Sequence, residues 1–237
     1  MKKKLKIGGF ITGFILLFVL FQYQFLDNDS LNPWNLPLTG KIIVLDPGHG
    51  GPDGGADSGD LFEKDISLKI TLKIRDFLQE QGALVIMTRE TDTDLATEST
   101  RGYSRRKVED LKKRVNLINE SDADLFISIH LNAIPSPKWS GAQTFYYRTY
   151  KENEDLAKYI QDELRTNLEN TSRKAKSINS VYLLKNANKP GALVEVGFLS
   201  NETEKQLLVQ EHYQEKVAAS IYRGILRYAS NETNPPD

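Results

Sequence analysis

The chain contains no cysteine. Disulfide scaffolds, thiol nucleophiles and cysteine-based zinc sites are thereby excluded, and any metal has to be held by histidine and carboxylate. The absence also suits an exported protein that avoids unwanted oxidation. Histidine is scarce: the 237 residues hold three, His49, His130 and His212. Neither sign of charge prevails, with 31 Lys and Arg against 32 Asp and Glu and a net charge of -1, so no basic footprint marks a nucleic acid or an anionic membrane as partner. Internal repeats, low-complexity blocks and an obvious long linker are missing too, and the length suits one globular domain with appendages.

One long apolar run is present. Lys2, Lys3, Lys4 and Lys6 precede IGGFITGFILLFVLFQYQFL, residues 7–26, which is about the length of a bilayer span. Lysines on that side favour a cytoplasmic N-terminus and place the remainder outside. Gln22, Tyr23, Gln24, Phe25 and Leu26 lack the small-residue pattern of a signal-peptidase site. Residues 1–26 therefore read as an uncleaved membrane anchor, with a cleaved signal segment and a secreted product as the alternative. Residues 27–39, with Pro33 and Pro37, read as a linker in which Trp34 rests on the domain or at the membrane interface. Residues 40–229 form the folded domain, and residues 230–237 a tail.

Within the domain, Lys41–Asp46, Ala83–Thr88, Asp124–Ala133 and Gly141–Tyr147 read as strands, and Val181–Leu184 and Ala192–Phe198 are further apolar runs. Apolar stripes at helical spacing predict helices over Glu63–Gln81, Asp110–Asn119, Asn153–Asn170 and Tyr213–Ala229. Arg89–Glu109 reads as a polar loop. The alternation implies a single-domain α/β three-layer sandwich, a mostly parallel twisted sheet with helices on both faces. Such sheets bind ligands at the carboxyl ends of their strands, where His49 and His130 both fall.

The stretch LDPGHGGPDGGADSGDLFEKD, residues 45–65, is a glycine-dense loop after a strand. It is not a phosphate cradle: Asp53 stands where G-x-G-x-x-G needs its third glycine, no Lys-Ser or Lys-Thr closes a P-loop, and Asp46, Asp53, Asp57 and Asp60 repel phosphate. A plain glycine turn leaves the strand-end histidine unexplained. The inventory of His49, Glu63 and His130 matches a zinc site with a fourth position left to water. Glu195 interrupts the apolar run ALVEVGF; it either faces outward from an edge strand or is buried beside the metal rim as a general base. His212 lies in a polar setting and reads as a surface residue, and Tyr146, Tyr147 and Tyr150 as core or rim packing. Arg114 and Asn116 read equally as a solvated helix face. Asp46, Asp53 and Asp57 are left as turn groups or outer supports of the site.

The motifs LDPGHGG, EKD, RVNLIN, ISIHLNA and LVEVGFLSN together resemble the zinc-dependent N-acetylmuramoyl-L-alanine amidases of bacteria, over Lys41 to about Tyr228. The lysine-led anchor and the short length look most like members acting on spore cortex. The resemblance implies that His49, Glu63 and His130 bind Zn2+, that Glu195 is the catalytic carboxylate, and that Arg114 and Asn116 give structural support. The implied reaction is hydrolysis of the amide between the lactyl group of N-acetylmuramic acid and L-alanine in peptidoglycan, on the route to muramic-δ-lactam in germination. It places the protein in the wall or cortex compartment of the developing spore. Only IPSPKWS separates Ala133 from Gly141, where some relatives carry an insert that blocks the zinc. No built-in plug is expected, and control falls to expression timing, anchoring or an activating protein partner. A non-catalytic wall-binding module and another zinc hydrolase of wall peptides or glycans are the rival readings.

Overall fold

Branched apolar residues dominate the strands β1 (Ile42–Pro47), β5 (Leu125–Asn132) and β8 (Gly191–Phe198), as expected for strands covered on both faces, and also the less buried edge strand β4 (Leu84–Met87). The computed structural model describes residues 13–19, 36–132, 134, 136–230 and 232–236. With β6 (Gln143–Tyr146) and β7 (Lys176–Ser177) these strands form one sheet in the order β4-β1-β5-β8-β6-β7. The first four run parallel and β6 pairs antiparallel to β8. A two-stranded ladder, β2 (Asp57–Ser58) with β3 (Leu61–Phe62), lies inside the glycine-rich loop.

The period-2 alternation of the strands decides which side chains meet which helices. On one face Leu45, Ile127, Ile129, Val194 and Val196 join the apolar stripes of α1 (Glu63–Glu80), α3 (Lys151–Leu168) and α6 (Glu211–Ala229) in the main core. In α1 that stripe is Ile66, Ile70, Ile74 and Leu78, all buried. Gly224 lets α6 close on α3, because a Cβ there would stand 2.5 Å from Cα of Ile160. On the other face Val44, Phe126 and Leu193 pack with Val115 and Ile118 of α2 (Tyr103–Glu120) and with Leu183 and Leu184 of α4 (Tyr182–Asn186). The remaining helix, α5 (Glu202–Leu208), follows β8.

This is the three-layer, mostly parallel architecture read from the sequence, with differences in detail. α2 begins at Tyr103, so the second half of the expected loop Arg89–Glu109 is helical. The run VYLL enters a short helix rather than a sheet. Leu38 is fully buried and donates its backbone N–H to Gln81 at 3.0 Å, so packed chain begins before Gly40. The anchor and linker expectations, including that for Trp34, fall largely outside the described residues. Residues 13–19 are helical and exposed, and among the described residues no helix is long and apolar enough to cross a membrane.

Candidate metal centre and catalytic cleft

Alternation along β5 sends Phe126, Ser128 and His130 to the α2/α4 face, and along β8 it sends Leu193 and Glu195 there. His130 and Glu195 are register partners. The chain leaving β1 brings His49 to the same place, and the start of α1 supplies Glu63. His49, Ser128, His130, Leu193 and Glu195 line a cavity of about 380 Å3 together with Lys107, Leu111, Val181, Tyr182 and Leu183. A cavity of about 460 Å3 around Lys41, Asp124 and Tyr159 lies at the opposite end of the strands and lacks histidine.

His49, Glu63 and His130 each present one ligand atom, and the three lie within 4.8 Å of one another. Glu63 uses both oxygens: Oε2 is 3.2 Å from Nε2 of His49 and Oε1 is 2.8 Å from Nδ1 of His130. Backbone N–H groups of Ala56 and Leu131 donate to those oxygens at 2.8 and 2.9 Å, fixing the carboxylate. The other nitrogen of His49, Nδ1, lies 2.9 Å from Asp53, an outer carboxylate that sets ring orientation and tautomer. Tyr103 donates to Asp53 at 2.9 Å and Lys107 pairs with it at 2.9 Å.

Two close approaches make the cluster possible. A Cβ on Gly48 would stand 2.5 Å from Cε1 of His130, and one on Gly55, at φ +72°, 2.6 Å from Oε2 of Glu63. His49 itself sits at φ +62°, a left-handed conformation costing a non-glycine residue about 1 kcal/mol or more. Two buried arginines hold it there. Arg114 donates to the carbonyls of Pro47 and His49, and Arg89 to those of Pro47 and Gly48. Arg114 also meets Asp46 at 2.7 Å and Asp110 at 2.8 Å. It is a structural support and not a solvated helix face, whereas Asn116 is exposed.

Electrostatics follow from this packing. Burial opposes charge on His49, but Asp53 and Glu63 outweigh it and raise its pKa to about 9. Burial likewise opposes ionisation of Glu63, yet the two imidazoles hold it well below the usual carboxylate range. Glu195 differs: burial pushes its pKa up to about 7, the charge of Glu63 adds to that, and the histidines oppose it. Its Oε2 is buried without a hydrogen-bond partner. β8 is an interior strand, which removes the edge-strand reading of Glu195. Asp57 is exposed on the small ladder and His212 is exposed on α6. Tyr146 is buried, Tyr147 packs against the α2/α4 cluster, and Tyr150 is exposed.

A donor set of two imidazoles and one carboxylate, converging with no thiolate, fits zinc, and Glu195, with its unpaired oxygen, lines the same cavity as both histidines. Sequence reasoning missed Arg89, Tyr103 and Lys107. Only the polar stretch around them could have signalled Arg89, whose partners are backbone carbonyls and the Ser67 hydroxyl.

Comparison with known proteins gives the family and its solved relatives. The family described as N-acetylmuramoyl-L-alanine amidase matches residues 43–227. The chain is 67% identical, over all 237 residues and the whole of the relative, to the germination-specific N-acetylmuramoyl-L-alanine amidase of Bacillus subtilis. It is 36% identical over 194 residues to the amidase LytC of the same organism, covering 81% of this chain and 36% of that one. Among solved structures, the CwlD amidase of Clostridioides difficile in complex with the GerS lipoprotein aligns at TM-score 0.78 and 46% identity, covering 80% of this chain and 98% of that one.

Proposed function

The chain belongs to the N-acetylmuramoyl-L-alanine amidase family, and from that premise we propose that His49, Glu63 and His130 hold a zinc ion and that Glu195 carries the proton in catalysis. The protein is a peptidoglycan amidase that hydrolyses the amide between the lactyl group of N-acetylmuramic acid and the L-alanine of the stem peptide. The observation carrying the assignment of roles is the buried, unpaired Oε2 of Glu195 in the cleft lined by both histidines.

When bound, zinc supplies Lewis acidity, which acidifies water and polarises the scissile carbonyl. Glu195, poised near neutrality by burial, takes the proton of the attacking water and returns it to the alanine nitrogen, so that the stem peptide leaves as a free amine. Asp53 holds the His49 ring in the orientation that turns Nε2 toward Glu63. The apolar lining from Leu111, Val181, Leu183 and Leu193 keeps bulk water from weakening these interactions.

Identity to the germination-specific relative supports action in spore cortex, where the stripped muramic acid is the precursor of muramic-δ-lactam. Six exposed apolar side chains, Phe14 to Val19, and the lysine-led run around them support an N-terminal membrane anchor. A Clostridioides difficile amidase is known in complex with a lipoprotein, which supports an activating protein partner for this chain as well. Mass analysis of cortex peptidoglycan after digestion tests the activity. Stem peptides with free L-alanine amino termini are expected, and released acetate or cleaved glycan in their place would replace the amidase with another hydrolase.

A further inference from the structure

The α2/α4 face of the sheet does not end at Glu195. Gln143 of β6 is the antiparallel register partner of Glu195, so both side chains leave the sheet on the same face, about 5 Å apart at Cβ. The amide nitrogen of Gln143 donates to the carbonyl of Lys174 at 3.0 Å. That orientation leaves Oε1, which has no partner among the described residues, as an acceptor beside the catalytic carboxylate.

The connection running into β6 carries Trp139, whose side chain is 51% exposed. It is held firmly for a surface loop. Pro137 O accepts from Asn201 at 2.8 Å, and the N–H of Gly141 donates to buried Glu204 at 2.7 Å. The second oxygen of Glu204 accepts from Phe198 N–H at 2.8 Å, which ties the loop to the end of β8. Arg173 donates to the carbonyls of Ser140 and Gly141 and lies 5.8 Å from the Trp139 ring and 5.2 Å from that of Phe198. A guanidinium backs the indole and the rest of the ring stays open to solvent.

An indole fixed from behind and open in front is a platform for a sugar ring, whose C–H bonds turn a weakly positive face to the π electrons. We propose that Trp139 and Gln143 form a glycan subsite of the enzyme. Trp139 stacks on the pyranose ring of the N-acetylated amino sugar next to the muramic acid under attack, and Gln143 Oε1 accepts a hydrogen bond from its acetamido N–H. The α2/α4 side of the cleft, with Lys107, Leu111 and Tyr182, is then left to the stem peptide. The identity of the sugar rests on the amidase reading above.

The test uses the full-length protein and a peptide-free tetrasaccharide of alternating N-acetylglucosamine and N-acetylmuramic acid. The chain has two tryptophans, Trp34 and Trp139, so Trp34→Phe isolates the fluorescence of Trp139. Saturable perturbation of that emission is expected, with roughly tenfold weaker binding in Gln143→Ala. Trp139→Ala should raise KM for polymeric cortex roughly tenfold, with kcat/KM on a single-sugar muramoyl peptide unchanged and Trp139→Phe recovering part of the loss. Unperturbed Trp139 emission, or equal losses on polymer and single-sugar substrate, would overturn the subsite. Glycan binding without release of stem peptide from any substrate would support the subsite and refute the amidase reading. Peptide release unaffected by either variant would do the reverse.

Discussion

His130 and Glu195 are register partners on the adjacent parallel strands β5 and β8. The pairing places an imidazole of the proposed zinc site and a buried carboxyl on one face of a rigid sheet, with no loop needed to bring them together. His49 and Glu63 come from the loop and the helix that follow β1, and their placement depends on local supports that mutation can remove one at a time.

The first support is the glycine at the end of β1. Gly48→Ala would drive its methyl group into the His130 ring, at 2.5 Å from Cε1, and the ring would have to shift away from Glu63. Zinc affinity should fall roughly 10- to 100-fold, measured by competition with a chromophoric chelator, while the helical signal in circular dichroism is retained.

Asp53 is the second. Asp53→Ala frees Nδ1 of His49, now 2.9 Å from the carboxylate, so the ring loses its fixed tautomer. A loss of roughly 10- to 100-fold in metal affinity is expected by the same titration. Tyr103→Phe removes only one donor to Asp53 and should cost less.

Asp46 and Arg114 provide a stability test. Burial alone would raise the pKa of Asp46 from 3.8, but Arg114, Ser128 and the other groups around it lower it to about 2. Because the folded value lies below the unfolded one, the stabilisation is present above pH 3.8 and is lost as pH falls through 2; it amounts to about 2 kcal/mol. Urea unfolding between pH 5 and pH 2 should show that loss, and Asp46→Asn should flatten it. Arg114→Met leaves a buried carboxylate unpaired and should cost roughly 3–5 kcal/mol at neutral pH.

Metal uptake should release a proton. In the metal-free site His49 holds its proton up to about pH 9, and zinc requires the neutral imidazole. Calorimetry near pH 7.5 in buffers of different ionisation enthalpy should therefore report about one proton released per metal bound. In the chelated protein the sign for stability is opposite to that of Asp46. The folded pKa of His49 is raised above 6.5, so its contribution is complete below pH 6.5 and disappears as pH rises through 9.

Much of this was legible before the fold. The runs around Ile43 and Ile127 read as buried strands because apolar residues fill both faces, and His130 stood out at the end of one of them. The first turns of α2 were hidden for a physical reason: its inner surface there is polar, with Lys107, Asp110 and Arg114 turned toward the site, while Val108 is exposed, so no apolar stripe marks it. Gly102, which precedes the helix, supplies no side-chain cap. Arg89 was hidden because it bonds to carbonyls of the glycine loop, and backbone partners leave no trace in side-chain chemistry. Glu195 left two readings open, since a strand's place within its sheet is set by pairing with β5 and β6 far away in sequence.

The most direct test of the assigned roles is Glu195→Gln, with zinc content by elemental analysis and stem-peptide release by mass spectrometry measured on the same sample. The substitution keeps the size of the side chain and removes its capacity to carry a proton. The expected result is about one zinc per chain, as in the wild type, with release slowed by roughly 100-fold or more. Release at the wild-type rate with zinc in place would contradict the role of Glu195.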